Sequence, residues 1–419
     1  MTVSSRIIAI LLGLSVLALA ITGSPIYSRL SYLWLFLLLG NWVWAAFSLR
    51  GVEIERDTRT LRSQVGQVFE ERFEVRVGGR LPRLWLEVRD ESTLPGTHGS
   101  RVLTLLRGNQ SRSYRAVTRL TRRGVFPLGP TVLTSGDPFG LFPRSRTVPP
   151  ESSLLVYPLI ADVSNFPSPA GLLSGGEALR RRTHQITPNA AGVRDYAPGD
   201  SLNRIHWVST ARRGRLMAKE FELDPFAPVW IFLDGARAAQ AALPHVEIDE
   251  APVNYLSRRE KYSLPPSTEE YGISAAASLA RYFVQRKRAV GLACKGDTLQ
   301  ILQAEAGGRQ LGKILEALAL LRAEGDLSIL ALVMAQARHL LRGSTVVLVT
   351  PSVEDSVMLA MDHLQRRSLR PVAVLLDSES FGGPAGTAAL ATSIRLMGVP
   401  VRRVAHDVPM SIALSGTDF

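Results

Sequence analysis

Two long apolar runs open the chain and differ from everything that follows them. Neither residues 7–21 nor residues 30–49 contain a charged side chain. At a rise of about 1.5 Å per residue the second run would form a helix about 30 Å long, the thickness of the hydrocarbon layer of a bilayer. Aromatic side chains mark its ends, as in transmembrane helices: Tyr32, Trp34, Trp42 and Trp44. We therefore predict a transmembrane helical hairpin over residues 1–50.

A cleaved signal peptide is the alternative for the first run. Arg6 precedes this run, and Ala18, Leu19 and Ala20 resemble the small-residue motif at which signal peptides are cut. Cleavage after Ala20 would still leave the second run as a membrane anchor. We favour the hairpin because the second run follows the first almost at once.

Arginines near the ends of the two runs predict the orientation in the membrane. The loop between the runs has only Arg29, whereas four arginines crowd the side after the second run: Arg50, Arg56, Arg59 and Arg62. Because Lys and Arg accumulate on the cytoplasmic side, we predict a multi-pass protein of the cell (inner or plasma) membrane whose soluble domains face the cytoplasm. The single cysteine, Cys294, excludes an internal disulfide and fits a reducing compartment, although a periplasmic protein with few cysteines would look the same.

Apolar and polar residues alternate over residues 51–157, in short runs separated by turn-forming residues. This pattern is typical of β-strands and predicts a small antiparallel β-sandwich. Near its end, in the run GDPFGLF, we expect Pro138 and Gly140 to fix a turn while the rings of Phe139 and Phe142 fill a core.

Residues 228–419 alternate short apolar strands with amphipathic helices. This order predicts a mostly parallel, doubly wound (Rossmann-like) α/β domain that would bind ligands at the carboxyl ends of its strands. Strands are expected at residues 229–234, 289–294, 345–350, 371–377 and 400–405, with one antiparallel edge strand after residue 294. Helices are expected at residues 272–287, 309–341, 354–368 and 386–397. A polar, proline-containing insertion at residues 236–271 interrupts the order and is either a lid or partner-binding loop or a tolerated surface insertion.

Residues 158–227 join the two predicted domains as a linker that ends in a structured joint. Within it, the charged stretch of residues 192–222, here named the signature joint, predicts a strand, a Pro-Gly turn, a helix and a second strand. We expect Asp200 to cap a helix over residues 201–213 that buries Ile205, Val208 and Trp207, with Gly214 ending that helix.

The charges of the signature joint have two interpretations. Acidic and basic residues are interleaved, so Arg194, Asp195, Asp200 and Arg204 could satisfy one another in a partly buried network. The alternative is a nucleic-acid surface, which would fit the formal net charge of +12 and the pI near 10.3. Attraction of the anchored chain to an anionic membrane leaflet explains the same charge.

The signature joint resembles the domain of unknown function 58 family, whose signature is R-x-Y-x-x-G-D-x-x-R-x-I-x-W-x-x-x-A-R followed by a basic strand. The two-helix anchor and the runs TRRGVFPLGP and GDPFGLF also look like that family, so the resemblance covers nearly the whole chain. His206 departs from the family pattern, which usually has Asp there. The matching residues are Arg194, Tyr196, Gly199, Asp200, Arg204, Ile205, Trp207, Ala211 and Arg212.

The resemblance implies that the C-terminal half is similar to von Willebrand factor A domains, which hold a divalent metal through a D-x-S-x-S motif after the first strand. Here the aligned positions are Asp234, Ala236 and Ala238, so both hydroxyl ligands are missing, and Arg237 adds a positive charge. Asp355, after a later strand, is the one candidate for a replacement acid. Since Mg²⁺ prefers several oxygen ligands in octahedral geometry, we predict a degenerate site without a metal.

Other catalytic patterns are missing from the sequence. It contains neither a G-x-x-x-x-G-K-[ST] phosphate loop nor a G-x-S-x-G elbow, and its histidines lack the spacing of metal ligands. Cys294 ends an apolar strand, which favours inert packing over a nucleophilic role. We therefore predict no catalytic residue, no cofactor and no small-molecule substrate.

These features together favour a membrane-anchored, non-enzymatic scaffold or adaptor. The resemblance implies a partnership with a MoxR-type AAA+ ATPase in the assembly or maturation of protein complexes, in addition to contact with the lipid bilayer. Two alternatives stay open: a metal-dependent hydrolase at the α/β edge, and a membrane-associated nucleic-acid binder.

Overall fold

The computed structural model describes residues 2–79, 82–167, 190–196, 205–221, 227–245 and 262–416, with the backbone alone for residues 190–194 and 218–221. The chain divides into two compact units. The N-terminal unit comprises Met1–Ile160, Pro244–Pro266 and Leu315–Leu321. The α/β unit comprises Ala161–Leu243, Ser267–Ile314 and Arg322–Phe419.

The N-terminal unit begins with two helices, α1 (Val3–Thr22) and α2 (Pro25–Ser48), which pack against each other. Gly23 ends α1 in the left-handed conformation (φ 61°), and Pro25 occupies the first turn of α2. Both helices are long and apolar enough to cross a membrane, by length and composition. This agrees with the prediction of two long apolar helices within residues 1–50.

Polar and small side chains are buried between α1 and α2, whereas large apolar ones are exposed. Ser15 is 7% exposed and its Oγ accepts a hydrogen bond from Ser31 Oγ at 3.1 Å. Leu14 and Phe36 are 56% and 68% exposed. A helix pair in water does the opposite and buries its apolar face.

In the described residues that follow α2, the N-terminal unit contains ten strands. Their bounds are β1 (Val52–Thr58), β2 (Arg62–Gln64), β3 (Val68–Val77), β4 (Arg83–Asp90), β5 (Arg101–Leu106), β6 (Gln110–Arg119), β7 (Gly124–Pro127), β8 (Thr131–Ser135), β9 (Arg144–Val148) and β10 (Ser153–Tyr157).

Two antiparallel sheets form the sandwich that the alternating pattern predicts. They have the strand orders β1-β3-β6 and β5-β4-β8-β9. Phe73 and Val75 from the first sheet share one buried core with Leu86 and Leu133 from the second. A third, small sheet, β2-β10-β7, contains one parallel pair, β2 with β10, and covers a separate apolar cluster.

The expected role of Phe139 is wrong. Asp137 fixes the turn by accepting backbone hydrogen bonds from Phe139, Leu141 and Phe142 at 3.1, 3.0 and 2.6 Å. Leu141 is the buried apolar residue of this turn (3% exposed), whereas Phe139 is 68% exposed and Phe142 is partly buried. The carboxylate of Asp137 therefore organises the turn, and the ring of Phe139 faces outward.

The α/β unit contains β11 (Ala190–Asp195), α3 (Trp207–Arg213) and β12 (Met217–Phe221), followed by the strands and helices of a larger sheet. These are β13 (Val229–Leu233), α4 (Thr268–Gln285), β14 (Val290–Lys295), β15 (Leu299–Glu305), α5 (Gly308–Leu320), α6 (Ile329–Gln336), β16 (Thr345–Thr350), α7 (Ser356–Arg366), β17 (Arg370–Leu376), α8 (Thr387–Leu396), β18 (Val401–Val404) and α9 (Met410–Ser415).

The larger sheet has the order β15-β14-β13-β16-β17-β18, and every pair is parallel except β14 with β15. This confirms a mostly parallel sheet with an antiparallel edge strand. The central strand β13 is buried along its whole length, as its uninterrupted apolar sequence predicts.

One predicted helix is wrong. Residues 309–341 form two helices, α5 and α6, instead of one. Ser328 is the N-cap of α6, and its Oγ accepts the backbone N–H of Ala331 at 3.3 Å. Between the two helices, Gly325 lies against backbone atoms of other loops, so the chain must leave the helical path to reach them.

Candidate functional site

The sheet order reverses between β13 and β16, and this place is where doubly wound sheets bind ligands. Asp234 follows the last residue of β13, and Thr350 is the last residue of β16. The two strands are parallel neighbours, with Leu233 opposite Val349. Their register therefore brings the Asp234 and Thr350 side chains together at the carboxyl edge of the sheet.

The carboxylate of Asp234 is buried and hydrogen-bonded on both oxygens. Thr350 Oγ1 donates to Oδ2 at 2.6 Å, and the backbone N–H of Ala236 donates to Oδ1 at 3.1 Å. The Thr350 hydroxyl in turn accepts the N–H of Ser352 at 3.0 Å, which orients it. Burial raises the pKa of Asp234 above its ordinary value, against the lowering effect of the two hydrogen bonds.

A glutamine holds the loop that follows Asp234. Gln240 Nε2 donates to the backbone carbonyls of Asp234 and Ala236 at 3.1 and 3.3 Å. Its Oε1 lies 2.8 Å from Thr268 Oγ1, at the start of α4. Thr268 Oγ1 also accepts the N–H of Ala241 at 2.9 Å. The loop is thus tied both to the strand it leaves and to the helix it precedes.

Glycines allow three loops to pack backbone against backbone at this edge. The N–H of Gly325 donates to the carbonyl of Gly235 at 2.9 Å, and the N–H of Arg237 donates to the carbonyl of Gly325 at 2.8 Å. A Cβ atom on Gly235 would lie 2.5 Å from the carbonyl oxygen of Lys295, and one on Gly325 would lie still closer to it. Side chains larger than hydrogen cannot occupy these positions without a backbone shift.

The residues at this edge do not fit a resident divalent metal. Of the positions aligned with the metal-binding motif, only Asp234 has a side-chain oxygen, and it is hydrogen-bonded to Thr350, whereas Ala236 and Ala238 provide none. Asp355, the candidate replacement acid, precedes α7 and is exposed. Across the described parts of the chain, no group of three His, Cys, Asp or Glu side chains is placed to hold a metal ion. Both carboxylate oxygens of Asp234 already accept hydrogen bonds from the protein, so Asp234 would have to give up one of these bonds to coordinate Mg²⁺.

Cys294 is the second-last residue of the neighbouring strand β14 and is fully buried. Burial raises the pKa of its thiol to about 12, and the negative charge of Asp234 adds to this effect. The thiolate is the nucleophilic form of cysteine. Cys294 is therefore packed as an apolar residue.

The signature joint forms a hairpin, in which β11 and β12 pair antiparallel. The helix of the joint starts later than expected: α3 begins at Trp207, and His206 precedes it, its Nδ1 accepting the N–H of Ser209 at 3.1 Å. A single helix over residues 201–213 is therefore not formed, because residues 205 and 206 are not helical, while Asp200 and residues 201–204 lie outside the described residues. Asp is a preferred residue at a helix start, and His206 occupies that position here. Gly214 ends α3 with φ 66°, as expected.

The apolar face expected for this helix is only partly correct. Ile205 is 4% exposed, as expected, but Trp207 and Val208 are 67% and 59% exposed. Arg212 is also exposed, in the last turn of α3, where a cation is favourable. The Trp207 ring therefore does not contribute to the core.

The predicted charge network stays a prediction, and Asp195 is the member whose side chain the structure describes. This carboxylate pairs with Arg215 at 3.0 Å, and both side chains are more than half exposed, so the pair contributes little to stability. Tyr196 donates its backbone N–H to the carbonyl of Leu216 at 2.9 Å. The Arg194 side chain lies outside the described residues, as do Gly199, Asp200 and Arg204.

The predicted insertion is shorter than residues 236–271. Residues 236–241 belong to the bonded edge loop, and α4 begins at Thr268 instead of residue 272. Tyr262 belongs to the N-terminal unit, where its hydroxyl donates to the carbonyl of Thr121 at 2.7 Å. Residues 246–261, the centre of the insertion, lie outside the described residues.

Sequence analysis identified Asp234 but missed Thr350, Gln240 and Thr268. Thr350 carried a usable signal, since it ends an apolar strand at the edge where Asp234 ends another. Gln240 and Thr268 lie in the segment that was predicted to be irregular. Their pairing depends on a loop path that has no periodicity.

Comparisons with known proteins extend this description. A search of curated proteins finds "Uncharacterized protein YeaD" of Bacillus subtilis (strain 168), 30% identical over 103 residues, which are 24% of this chain and 25% of the relative. The match thus spans about a quarter of either protein. A structure titled "Chaperone-tip adhesin complex is vital for synergistic activation of CFA/I fimbriae biogenesis" covers 25% of this chain and 54% of its own at 10% identity, with a TM-score of 0.15.

The family comparison concerns the signature joint and the closed edge of the sheet. The matching family model is described as "Protein of unknown function DUF58" and spans residues 192–242. These residues include β12, α3 and β13 together with Asp234, Ala236 and Gln240. The segment that contains the described part of the joint and Asp234 is therefore similar to the DUF58 family model.

Proposed function

We propose that this protein is a membrane-anchored, non-enzymatic scaffold or adaptor that works with a MoxR-type AAA+ ATPase in the assembly or maturation of protein complexes. The observation that carries the proposal is the carboxyl edge of the sheet, which is closed in the sense that its side chains and loops are hydrogen-bonded to one another. There the one acidic side chain expected to bind a metal, Asp234, is buried and bonded to Thr350 and Ala236. An edge closed in this way supports protein binding better than metal-dependent hydrolysis.

The α/β unit has the von Willebrand factor A-like fold in this proposal. Support comes from the order of its sheet, in which only the edge strand β15 is antiparallel, and from the position of Asp234 directly after β13. Such a unit would present the loops around its carboxyl edge to a protein partner.

Anchoring is the second part of the proposal. The exposed apolar surface of α1 and α2 surrounds buried serines, which is the arrangement that a bilayer stabilises. We place the protein in the cell membrane as a multi-pass protein with its soluble units on the cytoplasmic side, on the basis of the arginines that follow α2.

Co-purification from native membranes tests the adaptor proposal. The tagged full chain is extracted in mild detergent with a non-hydrolysable ATP analogue, which preserves AAA+ hexamers, and bound proteins are identified by mass spectrometry. We expect an AAA+ ATPase of the MoxR type to be enriched over a mock purification. Recovery of the intact chain without any AAA+ ATPase would contradict the proposal.

A further inference from the structure

A groove lies at the end of α2, within the N-terminal unit. Its volume is about 460 Å³. One wall is the end of α2 and the residues that follow it, and the other wall is the edge strand β9. The lining residues are Ala45, Ala46, Leu49, Arg50, Gly51, Arg144, Ser145 and Arg146.

The groove is positively charged and has no acidic lining residue. Arg50, Arg144 and Arg146 are all exposed. The nearest acid along the chain, Glu53, lies opposite Arg76 on the neighbouring strand. The three guanidinium groups of the groove thus line a space without a carboxylate of its own.

A hydrogen bond and a ring contact hold two of these arginines, Arg146 and Arg50, in place. Arg146 donates to the backbone carbonyl of Val52, and Arg50 lies 4.4 Å from the centre of the Phe47 ring. Arg83 donates to the backbone carbonyl of Arg50 at 2.8 Å from a buried position. The groove is therefore preorganised.

The groove also lies where the apolar helices meet the sandwich. Leu49 and Arg50 directly follow α2, and α1 starts at the same sandwich, since Thr2 Oγ1 donates to the carbonyl of Leu141 at 2.9 Å. The turn that contains Leu141 exposes Phe139. Aromatic rings and arginines beside an apolar helix end are typical of the headgroup region of a bilayer.

We propose that this groove binds the headgroup of an anionic phospholipid. Its phosphate would accept hydrogen bonds from the guanidinium groups of Arg144 and Arg146, with Arg50 adding positive charge, while the acyl chains lie along the exposed face of α2. Guanidinium groups bind phosphate oxygens through paired donors. The groove thus fixes the height and tilt of the sandwich against the membrane. The inference rests on the proposed membrane insertion of α1 and α2 and not on the ATPase partner.

Native mass spectrometry of the detergent-solubilised full chain tests this site. The protein is titrated with phosphatidylglycerol, with phosphatidylcholine, and with phosphatidylglycerol in the presence of inorganic phosphate. We expect one saturable phosphatidylglycerol per chain, bound at least tenfold more tightly than phosphatidylcholine. Equal retention of the two lipids would overturn the proposal. Phosphate that displaces phosphatidylglycerol at equal concentration would also overturn it, because the site would then be one for free phosphate.

Matched variants separate the groove from general charge. In R144Q/R146Q the affinity for phosphatidylglycerol is expected to fall about 30-fold, since each arginine near an anionic lipid contributes about fivefold. The lysine variant R144K/R146K keeps the charge but not the paired guanidinium donors, so it should recover only part of that loss, and this partial recovery excludes misfolding as the cause. The control R72Q/R115Q removes two exposed arginines that face each other on β3 and β6 and should bind like the wild type. Wild-type affinity in R144Q/R146Q would contradict the assignment.

The outcome is independent of the adaptor proposal. Failure to recover an AAA+ ATPase would leave the lipid preference intact. Loss of the lipid preference would leave the ATPase partnership intact.

Discussion

The hydrogen bonds that hold the Asp234 side chain in place also occupy both of its carboxylate oxygens, which a metal would need as ligands. Its two oxygens accept hydrogen bonds from Thr350 and Ala236, and burial raises the pKa of its carboxyl group. The residue therefore behaves as a structural carboxyl at the end of β13. The free-energy cost of burying the Asp234 side chain depends on pH, because burial destabilises only the ionised carboxylate.

We expect the free energy of unfolding of Asp234→Asn to increase, relative to that of the wild type, as the pH rises from about 4 to 8. The folded-state pKa of Asp234 is raised, so its protonated form stabilises the fold fully below the unfolded pKa, and this contribution is lost as the pH rises through the folded pKa. Asn cannot ionise and should not show this loss. Denaturant unfolding of both chains across that range measures the difference.

Asp362→Asn is the matched control for this measurement, since Asp362 lies on the surface of α7 in an exposed pair with Arg366. A difference between the wild type and Asp234→Asn that is constant over pH would contradict the assignment of a raised pKa to Asp234.

At the scale of elements, the apolar strands β13, β16 and β17 could be predicted from sequence because an uninterrupted apolar run of that length has few other structures. Helix breaks were harder to predict. The pattern over residues 309–341 stays helical in composition, and only the contact of Gly325 with Gly235 and Lys295 shows why the chain leaves the helix. The start of α3 was missed for a similar reason, because a histidine is an uncommon helix cap.

Gly325→Ala should destabilise the α/β unit by about 1 to 3 kcal/mol, because the added methyl group would overlap the carbonyl oxygen of Lys295 and the backbone must move. Gly312→Ala in α5 is the matched control. A Cβ atom at Gly312 would meet nothing within 4 Å, and alanine favours a helix over glycine by up to about 1 kcal/mol. Thermal unfolding of the full chain compares them, and equal stability of the two variants would argue against a tightly packed edge.

At the scale of the whole molecule, the chain divides into two units, of which the N-terminal one begins with a pair of apolar helices. The sequence was sufficient to predict the sandwich, the α/β sheet and the two helices, since each has its own period or apolar run. It was not sufficient to predict how the loops at the carboxyl edge bond to one another. Those contacts require backbone segments to pack closely at Gly235 and Gly325. The pattern of hydrophobic residues does not indicate where backbone segments pack closely.

Membrane insertion gives a prediction at this scale. Leu14→Arg/Phe36→Arg places a charge in the exposed middle of both helices, at a cost of about 2.5 to 3.5 kcal/mol each. We expect this variant to be extracted by alkaline carbonate, whereas the wild type and Leu14→Ala/Phe36→Ala stay in the membrane fraction. Extraction of the wild type under the same conditions would contradict the anchor.

The central claim is that the α/β edge is a closed protein-binding surface without a metal centre, and a calorimetric titration with Mg²⁺ and Mn²⁺ tests it most directly. For the detergent-solubilised full chain we predict no saturable heat at concentrations below the millimolar range, with the same trace for Asp234→Asn. Binding of one ion per chain in the micromolar range, abolished by Asp234→Asn and by Thr350→Ala, would contradict the account and restore the metal-dependent hydrolase as the better explanation.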